Sequence, residues 1–140
     1  MCRRERGYQL LLVEPSSIVR SIIVSVVRQQ GLAEVHQTSN FATANDWLIA
    51  RSFDGILMSI DDSSASIELL TLVRMGTFRC DRNITVVALV YPEERRLVKE
   101  LTDLDVKRVL PLPFRISEVI NTVRTIVRES DPKRGRPYAS

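Results

Sequence analysis

A regular alternation between short apolar runs and longer segments of helical periodicity constrains this chain more than any other feature. Five apolar runs predict strands, at residues 8–13, 33–38, 54–59, 84–90 and 107–111. Runs of this length and character are typical of strands that are buried on both faces. Strict alternation of strands with helices favours an α/β fold with a parallel sheet and right-handed crossovers.

Apolar residues at spacings of three and four predict five helices between and after these strands. The clearest is residues 18–30, where Ile18, Ile22 and Val26 form one apolar column, Val19, Ile23 and Val27 form another, and Gly31 ends the segment. Ser39 or Asn40 is expected to cap the second helix, and Pro92 to open the fourth. The inward side chains of the last four helices include Phe41, Ala44, Trp47, Leu48, Ile67, Leu70, Val73, Leu97, Val98, Leu101, Leu104, Ile116, Val119, Ile120, Val123, Ile126 and Val127.

The order of the strands can also be predicted. Pro111 cannot donate a hydrogen bond within a sheet, so the fifth strand is expected at an edge. This agrees with a flavodoxin-like, doubly wound sheet of five parallel strands in the order 2-1-3-4-5, with five helices. In such sheets the working site lies beyond the carboxyl ends of the strands. Here those ends carry Glu14, Pro15, Ser59, Val90, Leu112 and Pro113.

Length and charge restrict the class of protein. The 140 residues predict one domain at 8–129, preceded by a basic arm at 1–7 and followed by a disordered basic tail at 130–140. The net charge is only +3, which is weak evidence for a nucleic-acid partner. We expect no membrane association, because no apolar run approaches the ~20 residues of a membrane span. No secretory signal is evident, and the two cysteines are far apart, so a cytoplasmic location is expected.

The motifs at the strand ends resemble those of response-regulator receiver domains, the CheY-like family. The sequence Leu-Leu-Val-Glu-Pro-Ser resembles the end of the family's first strand, and Phe-Asp-Gly-Ile-Leu-Met-Ser-Ile-Asp resembles its phospho-acceptor strand. Val-Val-Ala-Leu-Val resembles the fourth strand, and Leu-Pro-Leu-Pro-Phe resembles the Lys-Pro-Phe signature. The resemblance covers about residues 8–129.

The resemblance implies a chemistry whose parts are mostly missing here. In the family an aspartate accepts a phosphoryl group, paired acids hold Mg²⁺, and a hydroxyl and a lysine hold the phosphoryl oxygens. The matching positions carry Ser59, Pro15, Val90 and Leu112, and only Glu14 keeps its chemical type. The implied protein is an atypical pseudo-receiver without enzymatic activity, with no cofactor and with Mg²⁺ binding lost or weak. Val109 stands where the family's switch aromatic stands, so an aromatic switch is not expected.

Individual pocket residues have simpler interpretations than catalysis. Ser59 is read as a small polar residue that ends a strand, because no base is near it in the sequence. Glu14 is expected to be a solvated remnant of the acidic pair. Glu14 and Asp61 are weak candidates for metal ligands. By the same resemblance, the Leu112–Pro113 bond is expected to be cis.

Mixed charge in the last third of the chain predicts a protein-binding face. Receiver-like domains often associate through helix 4, strand 5 and helix 5, either with a partner or as a homodimer, although a solvated surface would look similar. The partner implied is a sensor kinase, a phosphotransfer protein or an output protein of a two-component or phosphorelay system. The basic residues expected there are Arg95, Arg96, Lys99, Lys107, Arg108, Arg115 and Arg124.

Two alternatives remain open at the level of sequence. The chain could still be phosphorylated, on Asp61 or Ser59, in an unusual pocket. It could also be the N-terminal receiver module of a DNA-binding response regulator, cut in the linker at residues 131–140. An enzyme acting on small molecules is disfavoured, because no glycine-rich phosphate loop follows any strand.

Overall fold

The computed structural model describes residues 7–60 and 64–130 of the chain. The strands are β1 Gln9–Val13, β2 Glu34–Thr38, β3 Gly55–Ile60, β4 Thr85–Val90 and β5 Arg108–Pro111. The α-helices are α1 Ser17–Gln29, α2 Phe41–Ala50, α3 Ala65–Arg74, α4 Val98–Asp103 and α5 Ile116–Ser130. A 3₁₀ helix, Pro92–Leu97, precedes α4.

The strands form one parallel sheet in the order β2-β1-β3-β4-β5, so the predicted flavodoxin-like fold is confirmed. In the middle of the sheet Leu12 pairs with Leu57, which in turn pairs with Val87. Pro111 lies on β5, which is an edge strand as predicted. All strand carboxyl ends therefore point to one edge of the sheet, which we call the carboxyl edge. The opposite edge, where the strands begin, is the amino edge.

Apolar side chains fill both faces of the sheet, because the central strands are buried on both sides. One core contains Leu11, Met58 and Ala88 from the sheet together with residues of α2, α3 and α4. The other contains Leu12, Leu57 and residues of α1 and α5. Trp47 packs against the first core, as predicted from its place in the apolar stripe of α2.

The structure corrects the sequence predictions in several details. Ile18 and Ile22 do not face the core, because the apolar face of α1 is formed by Ile23, Val24, Val26 and Val27. The fourth helix begins as a 3₁₀ helix with a non-helical residue at Glu94. The run Pro-Glu-Glu-Arg-Arg has no apolar side chain to bury, so a regular α-helix begins only at Val98. Of the two possible caps for α2, Asn40 is the one used.

The amino edge is held by a tyrosine and an aspartate next to a glycine. The Tyr8 hydroxyl donates to the Asp54 backbone oxygen over 3.1 Å, and the Asp54 carboxylate accepts from the backbone amide of Gln9 over 2.8 Å. A Cβ atom on Gly55 would overlap the Tyr8 hydroxyl oxygen. Glycine is therefore required at this position, because the tyrosine takes the space of a side chain.

Arg74 joins the end of α3 to two connecting segments at the same edge. Its guanidinium donates to the backbone oxygens of Leu104, Arg82, Ile84 and Asp105 over 2.7 to 3.0 Å. Two of these oxygens belong to the loop before β4 and two to the turn before β5. The planar fork of arginine suits this arrangement, because its donors point in several fixed directions at once.

Candidate functional site

A cleft of about 420 Å³ lies at the carboxyl edge, where the sequence placed the site. Its described lining comes from the end of β1, the end of β3 and the segment after β4. The lining residues are Glu14, Pro15, Ser16, Ser59, Ile60, Tyr91, Glu93 and Glu94. Three of the predicted pocket residues, Glu14, Pro15 and Ser59, are thus brought together. Val90, Leu112 and Pro113 are not in this lining.

Glu14 is fully buried, so the prediction of a solvated remnant is wrong. Its Oε2 accepts hydrogen bonds from the backbone amide of Ser16 over 2.8 Å and from the Tyr91 hydroxyl over 3.0 Å. Its Oε1 is buried and has no hydrogen-bond partner among the described residues. Two donors of the protein therefore take the place of water at Oε2. Oε1 has no donor among the described residues, and a buried oxygen without a hydrogen bond lowers the stability of the fold.

The nearest arginine does not pair with this carboxyl group. Arg20 donates from Nη1 to the backbone oxygen of Glu14 over 2.7 Å, and from Nε to the side-chain oxygen of Gln37 over 3.2 Å. These two hydrogen bonds connect α1 to the ends of β1 and β2. Arg20 has a structural role at the rim of the cleft.

Tyr91 is the residue of the site that sequence reasoning missed. It follows β4 directly and its side chain is half-buried. Burial, the charge of Glu14 and the hydrogen bond to Glu14 raise the pKa of Tyr91 to about 12. The only sequence signal is the position of Tyr91 directly after β4. That position does not reveal which carboxyl group accepts the hydrogen bond of the hydroxyl.

The remaining pocket positions are used for packing. Ser59 is buried and pairs with Leu89 in the sheet, and β3 continues one residue further than predicted, to Ile60. Val90 packs into the core beneath α2, α3 and α4, and Leu112 packs into the core beneath α1 and α5. The Leu112–Pro113 bond is cis, as predicted. Val90 and Leu112 stand at positions that resemble polar positions of the receiver pocket. Here they make apolar contacts, on two different faces of the sheet.

Glu14 and Pro15, at the positions that resemble the family's paired acids, offer no free side-chain ligand for Mg²⁺. One oxygen of Glu14 already accepts two hydrogen bonds, the other is enclosed, and Pro15 offers no side-chain ligand. Within residues 7–60 and 64–130, no group of three or more acidic, histidine or cysteine side chains is placed to hold a metal ion. Mg²⁺ requires a near-octahedral set of oxygen ligands. Asp61, the other weak candidate, lies outside the described residues.

All seven basic residues of the predicted face are exposed, but they are not equally free. Arg96 contacts Glu94 over 3.2 Å and donates to the Glu93 backbone oxygen over 2.9 Å. Arg108 contacts Glu129 over 3.6 Å. Arg124 instead donates to Gln30 over 3.5 Å, so it lies toward α1 and away from β5. Other exposed basic residues lie on the 3₁₀ helix (Arg95 and Arg96), on α4 (Lys99) and at the start of β5 (Lys107 and Arg108).

Comparison with known proteins identifies the class of fold. No family profile and no curated protein matches the chain. Among solved structures, the receiver domain of the sensor histidine kinase PA1611 of Pseudomonas aeruginosa PAO1 matches with a TM-score of 0.73 and 18% identity, over 86% of this chain and 98% of that one. That domain was solved with a magnesium ion coordinated in its active-site cleft.

Two further receivers give the same result. The Francisella response regulator 1452 receiver domain matches with a TM-score of 0.75 and 17% identity, over 89% of this chain and 100% of that one. The chemotaxis response regulator CheY4 of Vibrio cholerae matches with a TM-score of 0.70 and 18% identity, over 86% and 98%. This chain therefore has the fold of response-regulator receiver domains. None of its helices within the described ranges is long and apolar enough to cross a membrane.

Proposed function

We propose that this chain is a pseudo-receiver of a two-component or phosphorelay pathway, which acts by binding another protein and not by accepting phosphate. The observation that carries the proposal is the state of Glu14. Among the positions that resemble the family's phosphorylation site, Glu14 alone is acidic, and it is fully buried and bonded to Ser16 and Tyr91. Ser59, Pro15 and Val90 supply no carboxylate and no exposed hydroxyl.

Phosphoryl transfer on this fold would need an acceptor carboxylate, a metal and a cation that holds the phosphoryl oxygens. Leu112 is buried at the place of the lysine, and Ser59 is buried at the place of the acceptor. A single substitution would leave most of these parts in place. Here the acceptor, the lysine, the hydroxyl and one acid are all replaced, so Mg²⁺ binding is expected to be lost or weak and no transferase activity is expected.

The phosphorylation test uses Mg²⁺ with acetyl phosphate, and separately with beryllofluoride as a mimic of the phosphoryl group. We expect no phosphoprotein by mass spectrometry and no change in the amide spectrum by NMR. Ser59→Asp is the matched variant. It should also stay unphosphorylated, because Leu112 still stands at the place of the lysine and Pro15 at the place of the second acid. Mg²⁺-dependent labelling of the native chain would show instead that it is a working receiver.

The binding surface proposed is the α4–β5–α5 face, for a sensor kinase, a phosphotransfer protein, an output protein or a second copy of the chain. Its support is the exposed basic set that includes Arg95, Lys99 and Lys107, with exposed acids such as Glu100 and Asp103 between them. Charges of both signs favour a specific orientation over a general attraction.

Charge reversal tests this surface. Arg95→Glu combined with Arg96→Glu should weaken partner capture and any self-association measured by sedimentation velocity. Arg28→Glu is the control, because Arg28 is an equally exposed arginine in the last turn of α1. Equal binding by the double variant and the native chain would rule out the α4–β5–α5 surface.

A further inference from the structure

The hydrogen bond between Tyr91 and Glu14 connects parts of the sheet that are not neighbours. Glu14 follows β1 and Tyr91 follows β4, and β3 lies between those two strands. The two residues are 77 positions apart in the chain. The Tyr91 side chain therefore reaches across the end of β3, above Ser59, to the end of β1.

The segment after Tyr91 has few other attachments. No residue of Pro92–Leu97 is buried, and Glu94 departs from helical geometry with φ −107° and ψ 15°. The polar contacts described for this segment are internal, from Glu94 to Tyr91 and from Arg96 to Glu93 and Glu94. Within the segment only Glu94, whose side chain is 13% exposed, and Leu97 are partly buried, and full burial begins again at Leu101. Segments with so little buried surface open locally at low free-energy cost.

The two sides of the bond differ in how firmly they are held. Glu14 is enclosed, and the Ser16 amide holds the same oxygen that Tyr91 contacts. Tyr91 is only half-buried, with its ring packed against the edge of the core beneath α1 and α5. The acceptor is thus held more firmly than the donor. Burial and Glu14 together raise the pKa of Tyr91, which agrees with a phenol held in its neutral form against the carboxyl group.

We infer that the Tyr91–Glu14 hydrogen bond is a conformational latch, which holds the 3₁₀ segment Pro92–Leu97 against the end of β1. When the bond is broken, the segment and the first turn of α4 are released together. A donor group that enters the cleft and bonds to Glu14 competes with Tyr91 and favours the released state. By linkage, a protein that binds Arg95 or Arg96 in one state shifts the same equilibrium from the other side. The latch is a property of the isolated chain and does not depend on the proposed function.

Hydrogen exchange of the full chain tests the latch. In Tyr91→Phe the amides from Glu93 to Asp103 should exchange about ten-fold faster, because a hydrogen bond to a carboxyl group is lost while the ring is kept. Glu14→Gln should give a smaller acceleration in the same amides, since a neutral amide oxygen is a weaker acceptor. The double variant should match Tyr91→Phe alone, because both changes remove one contact.

Tyr8→Phe is the matched control, since it removes a tyrosine hydroxyl bond at the amino edge. It should leave the amides of residues 93–103 at their native rates. Unchanged exchange in Tyr91→Phe would overturn the latch. Equal acceleration in Tyr8→Phe would also overturn it, because the effect would then be a general loss of stability.

Discussion

The two edges of the sheet each hold a tyrosine bonded to an acidic residue, and they hold it differently. At the amino edge Tyr8 is buried, its hydroxyl meets the Asp54 backbone, and the Asp54 carboxylate meets the Gln9 amide. At the carboxyl edge Tyr91 is half-buried, and one oxygen of its partner Glu14 has no hydrogen bond among the described residues. The first arrangement fixes the strands, whereas we infer that the second opens without unfolding the protein.

The largest effect is expected from crowding the amino edge. Gly55→Ala would place a Cβ atom against the Tyr8 hydroxyl and the atoms of its ring. Because Tyr8 is buried and its hydroxyl holds the Asp54 backbone oxygen, a shift of the ring breaks this contact, and we expect a loss of about 3 kcal/mol in the free energy of unfolding. Urea denaturation followed by circular dichroism measures the loss.

The double variant Tyr8→Leu with Gly55→Ala is the control for this clash. If Tyr8 is the obstacle, the two changes together should cost less than the sum of the separate costs. If Gly55→Ala unfolds at the same urea concentration as the native chain, the surroundings of Tyr8 adapt to the added methyl group. The contrast between a fixed amino edge and a changeable carboxyl edge would then be wrong.

Loss of the arginine fork at the amino edge should have the next largest effect. A lysine in place of Arg74 has one ammonium group and cannot reach the four oxygens that the guanidinium holds. We expect Arg74→Lys to lower the free energy of unfolding by about 2 kcal/mol, measured by urea denaturation.

Arg79→Lys is the matched control for Arg74, since Arg79 is exposed and makes one side-chain hydrogen bond, to the Ile49 oxygen. It should cost less than about 1 kcal/mol. Equal costs for the two substitutions would mean that the fourfold contact of Arg74 adds nothing to stability.

A pH titration tests the carboxyl edge. Folding raises the pKa of Tyr91 from 10.0 to about 12, through burial first and Glu14 second. The folded protein therefore holds this proton more tightly than the unfolded chain. The resulting stability is complete below pH 10 and is lost as the pH rises from 10 towards 12. In Glu14→Gln the pKa should fall part of the way back toward 10, seen in the ultraviolet absorbance of tyrosinate.

Two variants calibrate that titration. Tyr91→Phe should remove the absorbance change of one tyrosine, and its loss assigns that change to Tyr91. Glu93→Gln should shift it less than Glu14→Gln, because Glu93 is the weakest of the four causes and makes no hydrogen bond to Tyr91. A Tyr91 pKa that is the same in Glu14→Gln and in the native chain would contradict the contact at the carboxyl edge.

The smallest effect is expected at the surface of the 3₁₀ segment. Arg96 is well exposed and contacts Glu94 over 3.2 Å. The Glu94 side chain is 13% exposed, so the pair is exposed on the Arg96 side only, and Arg96→Gln should change the free energy of unfolding by less than about 1 kcal/mol, again by urea denaturation. A larger loss would show that ion pairs, and not Tyr91 alone, hold this segment.

Much of the fold followed from local patterns. The period of the apolar residues gave the strands and helices, and Pro111 indicated the edge position of β5, because both depend on neighbouring residues only. Glu14 was misread for the opposite reason. Its burial depends on Tyr91, which is distant in the chain. The orientation of Ile18 was also missed, because several columns of α1 are apolar and only contact with the sheet selects the buried one.

The sequence by itself determined the class of fold and the residue types that stand at the carboxyl edge. Both are properties of which residues stand at which positions. Only the tertiary structure decided what the remaining groups do. It assigned the Asp54–Gly55 pair to the amino edge and the Glu14–Tyr91 pair to the carboxyl edge, since each depends on contacts between different strands. The physical reason is that burial and hydrogen bonding arise from the packing of distant segments, which no local pattern encodes.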